Sequence, residues 1–203
     1  MTPIKARLRE QARHNVRQAI LDATRELFAQ DGLAGVSMRG VADRIGYTPR
    51  TIYMHFADKD DLLSELIEED VGRLADQLET TATAETDPGR RLDAVARAYV
   101  AFGLENPHAY EAIFLQRSHP FTREAADRQR HVQGERMLDI LARVVQESGR
   151  VAPGLDLQVA LQALRCTLHG VTSLLVLGRT LPGVKWETVV PHLVAGAVGE
   201  GYA

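Results

Sequence analysis

Apolar residues recur at intervals of three and four positions along most of this chain, which is the spacing of amphipathic α-helices. Runs that alternate in hydrophobicity, as half-buried strands do, are absent, so the pattern predicts an all-α fold. A first helix is expected from near Arg13 to Gly32, a fourth from residue 58 onward, and a linker over residues 80–89. Later helices are expected up to about residue 103 and over residues 110–115, 121–148, 156–178 and 187–198.

Residues 37–56 hold the most specific part of this pattern, two short helices joined by a glycine turn. Ser37 is a suitable N-cap for the first of them, and Gly46 ends it. Thr48 is expected to cap the second, and Pro49 fits its first position, where no backbone N–H is needed. With the helix that precedes them, they predict an N-terminal three-helix domain of the helix-turn-helix type.

The second short helix has the features of a DNA recognition helix. Ile52 and Phe56, four residues apart, form one buried stripe, which leaves its other faces polar and basic. A short helix of this kind can lie in the DNA major groove, where Arg50 and Thr51 reach base edges. Apolar contacts to thymine methyl groups are expected from Pro49 and Met54.

The charge distribution supports this location of a DNA-binding surface. The whole chain has a net charge of −3, but residues 1–57 contain nine basic and five acidic residues, a net charge of +4. Residues 58–87 contain eleven acids against two bases, and DNA would repel them. We therefore expect a DNA-binding domain over residues 1–57 and a second helical domain over residues 58–203.

Composition indicates an ordinary soluble, cytoplasmic protein. The 203 residues are 45% hydrophobic and 25% charged, as in globular domains. The first residues lack the apolar run of a secretory signal. Apolar stretches near residues 174–177 and 189–198 are shorter than the ~20 residues of a membrane span, so no membrane partner is expected. The single Cys166 excludes an intrachain disulfide and fits a reducing cytoplasm.

A specific pattern of residues extends over most of the N-terminal region. It consists of Phe28, Gly32, Ser37, Val41, Ala42, Gly46, Thr51, Ile52, Tyr53, His55, Phe56, Lys59 and Leu62. This pattern resembles that of the tetracycline-repressor (TetR) family of one-component transcription regulators. The resemblance implies that Arg39 contacts DNA and that Tyr53, His55 and Lys59 contact phosphates. His55 has an alternative as a packed, uncharged histidine, and Ser37 could cap its helix, touch a phosphate, or do both.

A second resemblance concerns the C-terminal part of the chain. The Asn-Pro-His-Ala-Tyr run at residues 106–110 and Leu168-His169-Gly170 are similar to the WHG-type ligand domains of that family. Arg165 stands where the WHG pattern has tryptophan. The resemblance implies a small-molecule site in the second domain and a dimer formed by the last two helices.

Large apolar residues interleaved with polar ones in the middle helices predict a pocket for a small, largely apolar organic effector. Arg117 and Arg165 could pair with an anionic group on that ligand, such as a carboxylate. The alternative is a plain core with polar residues that face solvent. The candidate ligand-binding residues are Phe102, His108, Tyr110, Phe114, Arg117, Met137, Arg165, Cys166, His169 and Trp186, with His119, Leu141 and Leu168 in the same set.

The last two helices have apolar stripes that suit a homodimer. Residues 157–175 place leucine and valine at heptad-like spacing beside a row of small residues, which permits close helix approach. One short recognition helix reads few bases, so a dimer also fits the DNA-binding hypothesis. The alternative is a core helix within one subunit. The candidate interface residues are Leu161, Leu164, Leu168, Val171, Leu175, Val190, Leu193, Val194 and Ala197.

Catalytic and metal-binding patterns are not found in the sequence. The seven histidines have no zinc-ligand spacing, and Cys166 and His169 lack a third orienting group. No cofactor is expected. The favoured function is a ligand-responsive regulator, a repressor that binds a palindromic operator in double-stranded DNA as a dimer. An enzyme or carrier with a relict helix-turn-helix and a constitutive architectural DNA protein are the alternatives, and the basic N-terminal region argues against the relict.

Overall fold

The computed structural model describes residues 3–115, 132–179 and 182–199, and these three ranges contain helices and no strand. The all-α prediction is therefore confirmed. The described residues form two compact units, the first ending at Ile67 and the second starting at Glu68. The helices are α1 (Pro3–Gly35), α2 (Met38–Ile45), α3 (Pro49–Tyr53), α4 (Lys59–Ala84), α5 (Pro88–Glu105), α6 (Pro107–Tyr110), α7 (Val132–Glu147), α8 (Leu157–Val176) and α9 (Trp186–Ala197).

Helix α1 begins at Pro3, ten residues before the predicted start at Arg13. The prediction located the helix by its apolar stripe, and residues 4–15 are exposed and have no such stripe. At Gly32 the backbone leaves the helical conformation (φ 64°, ψ −163°), where the helix was expected to stop. Because this φ favours glycine, Gly32 sets the direction in which the chain approaches α2.

The first unit is held together by one apolar core under α1, α2 and α3. Val41 and Ile52 are fully buried, and Phe56 is almost so, as the helical spacing predicted. Ion pairs and hydrogen bonds at the edge of this core also join α2 to α1, since Arg44 contacts Glu26 at 3.3 Å and Gln30 at 2.6 Å. The other buried apolar residues of this unit include Ile20, Leu21, Phe28, Val36, Met38, Ala42, Leu62 and Leu66.

The caps of the two short helices differ from each other. The Ser37 side chain accepts a hydrogen bond from the Gly40 backbone N–H at 3.0 Å, and Gly46 ends α2 in the left-handed conformation, as predicted. Thr48 has the extended backbone of a cap, but its hydroxyl lies 3.1 Å from the Thr51 hydroxyl and bonds no backbone N–H. The predicted side-chain cap at Thr48 is therefore wrong, because the threonine side chain pairs with Thr51 instead.

The predicted linker over residues 80–89 is mostly helical. Helix α4 continues to Ala84, and α5 starts at Pro88 after an N-cap by Asp87. Within α4 the hydroxyls of Thr80 and Thr81 donate to backbone carbonyls four residues earlier, each at 2.8 Å. These bonds satisfy the polar groups that made this segment resemble a linker, which leaves residues 85–87 as the connection.

The second unit packs α5 against α7, α8 and α9. Gly103 lets α5 approach α8 closely, because a Cβ atom at this position would collide with Thr172 and come within 3.1 Å of the Tyr110 ring. The break predicted at Asn106 is present, and after α6 the chain forms a π-helical turn, Glu111–Leu115. The sequence pattern predicted a short helix over residues 110–115, which includes this turn. The predicted helical residues 121–131 lie outside the described part of the chain.

Helix α8 starts after an N-cap by Asp156, whose carboxylate accepts from two backbone N–H groups at 2.9 and 3.2 Å. By length and mean hydropathy alone, α8 could cross a membrane, a possibility that the shorter apolar stretches of the sequence did not indicate. In the structure it packs against α5, α7 and α9 and carries Arg165 and His169 in its middle. This is the arrangement of a helix in a bundle.

Candidate nucleic-acid interface and ligand cavity

The side chains predicted to read DNA lie on the exposed surface of α3 and its ends. Pro49 and Arg50 are exposed, and Thr51 is half-buried against Thr48. Tyr53 and Met54 have 56% and 70% of their surface exposed although both are large and apolar in part. The structure therefore brings an exposed arginine, a hydroxyl and apolar groups onto one short helix, which is the chemistry that the major groove can accept.

Two predicted DNA contacts lie at the start of α2. The side chain of Arg39 is 85% exposed, and its contact with Asp43 is long, at 3.9 Å between nitrogen and oxygen. An exposed pair of this kind contributes little, so the Arg39 guanidinium is available to a phosphate or base. The Ser37 hydroxyl is used as the cap of α2, and a phosphate contact would be additional to that role.

Lys59 is tied to the protein more strongly than the sequence indicated. Its ammonium donates to the Leu33 backbone carbonyl oxygen at 2.7 Å, and the residue is partly buried. An ammonium has three N–H donors, so two remain for a phosphate. Lys59 thus fixes the start of α4 to the chain just after Gly32, whatever it contacts in DNA.

His55 is half-buried beside the core of the first unit. Its Nδ1 atom is buried and has no hydrogen-bond partner among the residues that the structure describes. Burial lowers the pKa of His55, and the positive charges of Arg13 and Arg17 lower it further. Arg17 itself lies over the Phe56 ring at 4.6 Å and pairs with Glu65 at 2.8 Å. These observations favour the packed, uncharged alternative for His55 over a charged phosphate contact.

Tyr47 is an exposed aromatic residue beside α3 that was not among the predicted DNA contacts. This residue lies in the turn between α2 and α3, and 46% of its surface is exposed. The sequence held no signal for this exposure, because a residue directly after a C-terminal glycine often packs back onto its own helix. Tyr47 therefore extends the exposed aromatic surface beside α3.

A cavity of about 240 Å³ lies in the second unit. Its wall comes from α5, the π-helical turn, α7 and α8. The lining residues are Tyr99, Phe114, Met137, Leu141, Gln162, Arg165, Cys166, Leu168 and His169.

Seven of the thirteen predicted ligand-binding residues contribute to this wall. Of the remainder, Phe102 is buried outside it, His108 is exposed, and Trp186 at the start of α9 does not reach it. These three residues do not line this cavity, since the helical pattern alone could not show which face of each helix meets the others. Arg117 and His119 lie outside the described residues. The predicted residues in the wall are Phe114, Met137, Leu141, Arg165, Cys166, Leu168 and His169.

Tyr110 lies behind the wall and positions a residue that forms it. Its ring is fully buried, and its hydroxyl oxygen lies 2.7 Å from His169 Nδ1 and 3.2 Å from the His169 carbonyl oxygen. Burial raises the pKa of Tyr110 to about 12, so its hydroxyl is protonated. Burial also lowers the pKa of His169, which keeps the imidazole neutral at pH 7.

Tyr99 and Gln162 are wall residues that the sequence analysis missed. Burial, followed by the neighbouring Tyr110, raises the pKa of Tyr99 well above its usual value. Its ring makes an edge contact with Tyr110 at 6.4 Å between centroids. Gln162, Arg165, Cys166 and His169 follow at spacings of three, four and seven residues, one face of α8. That spacing was the available signal for Gln162.

The residues predicted to form a dimer interface divide into two groups. Val171, Leu175 and Ala197 are half-buried, and Leu193 is exposed. The remaining five are buried within the single chain and offer almost no surface to a partner. These buried residues are Leu161, Leu164, Leu168, Val190 and Val194.

Exposed apolar residues nevertheless lie on the same two helices. On α8, Val159 and Leu174 are exposed, as is Leu177 directly after the helix, and on α9 Leu193 is exposed. The small residues Ala163, Thr167 and Gly170 of α8 are half-buried. The apolar surface left on α8 is therefore displaced around the helix from the predicted stripe.

An exposed basic recognition helix, with a cavity in a separate all-helical unit, defines a DNA-binding regulator with a site for a small ligand. Residues 20–66 match the model of the bacterial regulatory proteins of the tetR family, and residues 92–195 match the tetracyclin repressor-like C-terminal domain. The chain therefore belongs to the TetR family of transcriptional regulators, as the N-terminal pattern predicted. Members of this family are regulators rather than enzymes.

Similar proteins extend over nearly the whole chain. The HTH-type transcriptional repressor AcnR of Corynebacterium glutamicum is 26% identical over 190 residues, which are 91% of this chain and 93% of AcnR. A protein of unknown function from Rhodococcus sp. RHA1 has a TM-score of 0.76 at 26% identity and covers 90% of this chain and 93% of its own. FadR of Bacillus subtilis, solved with stearoyl-CoA, has the same fold at 22% identity, with a TM-score of 0.71 and coverage of 89% and 98%.

Proposed function

We propose that this protein is a repressor that binds a palindromic operator as a homodimer and leaves the DNA when a small effector enters the cavity of its second unit. The observation that carries the proposal is the exposed face of α3, where Arg50, Tyr53 and Met54 have no packing role. A relict helix-turn-helix would have no reason to keep this surface basic and exposed. Similarity to AcnR, which is a repressor, supports repression over activation.

The homodimer is supported by the exposed apolar residues of α8 and α9. Leu174, Leu177 and Leu193 lie on the surface of a single chain, so their apolar side chains remain in contact with water. Pairing with a second copy would remove this apolar surface from water. A two-fold dimer would also present two recognition helices to two half-sites, which must lie about 34–36 Å apart or at a multiple of that distance.

The effector is expected to be a small, largely apolar organic molecule. Phe114, Met137, Leu141 and Leu168 supply the apolar side of the cavity, which suits the body of such a molecule. Helix α4 belongs to both units, since it runs from Lys59 to Ala84 across Ile67. An effector that moves α4 would change operator affinity, and a hundredfold change requires about 2.7 kcal/mol of coupling.

The test begins with mapping the genomic sites that the protein protects from cleavage. Affinity is then measured by fluorescence anisotropy for a protected site and for a scrambled duplex of equal length and composition. Tighter binding to the protected site by at least about a hundredfold is expected at physiological salt. Equal affinities would contradict the regulator function, and reduced transcription of the adjacent gene on deletion would contradict repression.

A further inference from the structure

We propose that the cavity selects a small monoanionic carboxylate with an apolar body, held by Arg165 and His169. The inference deepens the proposed function by naming the chemical class of the effector. It depends on that function only for the ligand's effect on DNA. It is based on the positions of Arg165 and His169 on one face of α8 and on the positive charge of Arg165 in the cavity wall.

The two sides of the cavity differ in chemistry. Phe114, Met137, Leu141 and Leu168 form the apolar side, which suits a hydrocarbon or aromatic body. The polar groups come mainly from the α8 face of Gln162, Arg165, Cys166 and His169. A ligand that satisfies both sides must be amphipathic, with its polar group directed at α8.

Arg165 gives the polar side its charge. Among the described residues it forms no ion pair, and the wall that they form contains no aspartate or glutamate. Its Nη1 donates to Gln162 Oε1 at 3.1 Å, while Gln162 Nε2 is 3.4 Å from Cys166 Sγ. Gln162 thus orients the guanidinium along α8 and leaves its other N–H groups unused. A carboxylate is the group that pairs most strongly with such a fork of donors.

His169 adds a second donor in one of its two neutral tautomers. The Tyr110 hydroxyl lies 2.7 Å from Nδ1 and donates to the His169 carbonyl oxygen at 3.2 Å, and the shorter distance suits a hydrogen bond in either direction. In the tautomer that the proposal assigns, Nδ1 accepts from Tyr110 and Nε2 carries the hydrogen. This Nε2–H has no partner among the described residues and is available to an acceptor on the ligand.

The two donors and the size of the cavity restrict the ligand. Arg165 and His169 are four residues apart, one turn of α8, so they can contact two oxygens of one group. At about 30 Å³ per water-sized group, the 240 Å³ cavity holds about eight such groups. A short aliphatic or single-ring acid has this size.

The test uses octanoate, octan-1-ol and octylamine, which share one tail and differ in the charge of the head group. Binding to the full-length protein is measured by isothermal titration calorimetry. Octanoate should bind at least about tenfold more tightly than octan-1-ol, and octylamine should bind least tightly. Arg165→Gln should remove most of this preference. The matched control Arg97→Gln changes an exposed arginine of α5 outside the wall and should retain it.

Substitutions at His169 test the second donor. His169→Gln keeps an N–H donor and should retain more octanoate affinity than His169→Phe, which keeps only a ring. Tyr110→Phe removes the hydroxyl that would donate to Nδ1 in the assigned tautomer, so it should weaken octanoate binding severalfold while octan-1-ol binding changes less. Thermal unfolding shows whether each variant is folded. If His169→Phe does not fold, His169→Gln and Tyr110→Phe together still test the second donor.

Several results would overturn the proposal. Equal wild-type affinities for octanoate and octan-1-ol, an unchanged preference in Arg165→Gln, or no saturable binding of octanoate would each do so. Octanoate that binds through Arg165 but leaves operator affinity unchanged would support the ligand class and contradict the effector mechanism. Failure of the ligand-free protein to distinguish operator from scrambled DNA would contradict the regulator function, while the calorimetry would still decide the ligand class.

Discussion

The two units of this protein place their functional side chains in opposite environments. In the first unit Arg50, Tyr53 and Met54 project from α3 into solvent, above a core to which they contribute nothing. In the second, Leu168 and His169 belong both to the cavity wall and to the packing of α8. Substitutions on α3 should therefore change DNA affinity without changing stability. Substitutions around the cavity should change ligand binding and stability together.

The largest expected effect comes from placing a charge at two leucines on α8. Leu168 is 1% exposed and Leu174 is 49% exposed. Leu168→Glu buries an unpaired carboxylate and should destabilise the fold by at least about 3 kcal/mol. Leu174→Glu should leave the fold intact and weaken self-association. Chemical denaturation measures the first effect and sedimentation equilibrium the second.

Either result can contradict the division between core and interface. If Leu168→Glu is folded and monomeric, Leu168 belongs to the dimer interface, as its heptad spacing predicted. A Leu174→Glu variant that dimerises as strongly as the wild type would show that the exposed face of α8 does not form the dimer.

The close approach of α5 and α8 should make Gly103 intolerant of any side chain. A Cβ atom there collides with Thr172 and crowds Tyr110, so Gly103→Ala should cost about 1–3 kcal/mol or more through overpacking. Gly134→Ala in α7 is the matched control, because among the described residues no atom beyond its chain neighbours and its own helix backbone lies within 4 Å of the added methyl group. Its higher helix propensity should stabilise by up to about 1 kcal/mol. Urea denaturation of both variants checks the difference, and equal stabilities would refute the close packing.

Removal of the Arg50 side chain should affect DNA binding alone. Arg50→Ala should weaken operator binding by about 1–3 kcal/mol and relax the preference at one base pair in each half-site. Its free energy of unfolding should stay within about 0.5 kcal/mol of the wild type, because the side chain is exposed. Anisotropy titrations against single-base operator variants measure the specificity. Arg97→Ala, on α5, is the control and should leave operator binding unchanged.

A smaller effect is expected at the cap of α2. Ser37→Ala removes the acceptor for the Gly40 N–H and should cost about 1 kcal/mol of stability. Thr48→Ala should cost less, since the Thr48 hydroxyl bonds no backbone N–H. Thermal unfolding compares the two variants. A larger loss at Thr48 would mean that the contact between the two threonine hydroxyls matters more than the cap.

The smallest effect concerns pH and is expected in both units. The pKa values of His55 and His169 are lowered, chiefly by burial, from their ordinary 6.5. Below pH 6.5 the unfolded chain binds protons that these folded histidines do not, so stability should fall until the folded pKa values are reached. Above pH 6.5 both states are neutral and the effect vanishes. His55→Gln and His169→Gln should each flatten the loss between pH 6.5 and 5, measured by denaturation at several pH values, and unchanged slopes would contradict the assignment.

Short-range pattern was sufficient for the helix-turn-helix. The cap at Ser37, the glycine at Gly46 and the buried pair Ile52 and Phe56 are separated by a few residues, and helical geometry alone relates them. The same reasoning failed where local signals conflict. The threonines before Ala84 resemble a linker until their hydroxyls bond the helix backbone, and the polar residues after Pro3 hide a helix that has no apolar stripe.

The sequence by itself thus determined the all-α class, the family and the exposed face of the recognition helix. Only the tertiary structure decided which residues enclose the cavity and which face of α8 remains apolar and exposed. Tyr99, Phe114, Met137 and His169 come from distant parts of the chain, and their side chains meet because Gly103 allows α5 to approach α8. A helical repeat shows that a residue has a buried side, but it does not show which neighbour buries it. That choice is made by the packing of whole helices.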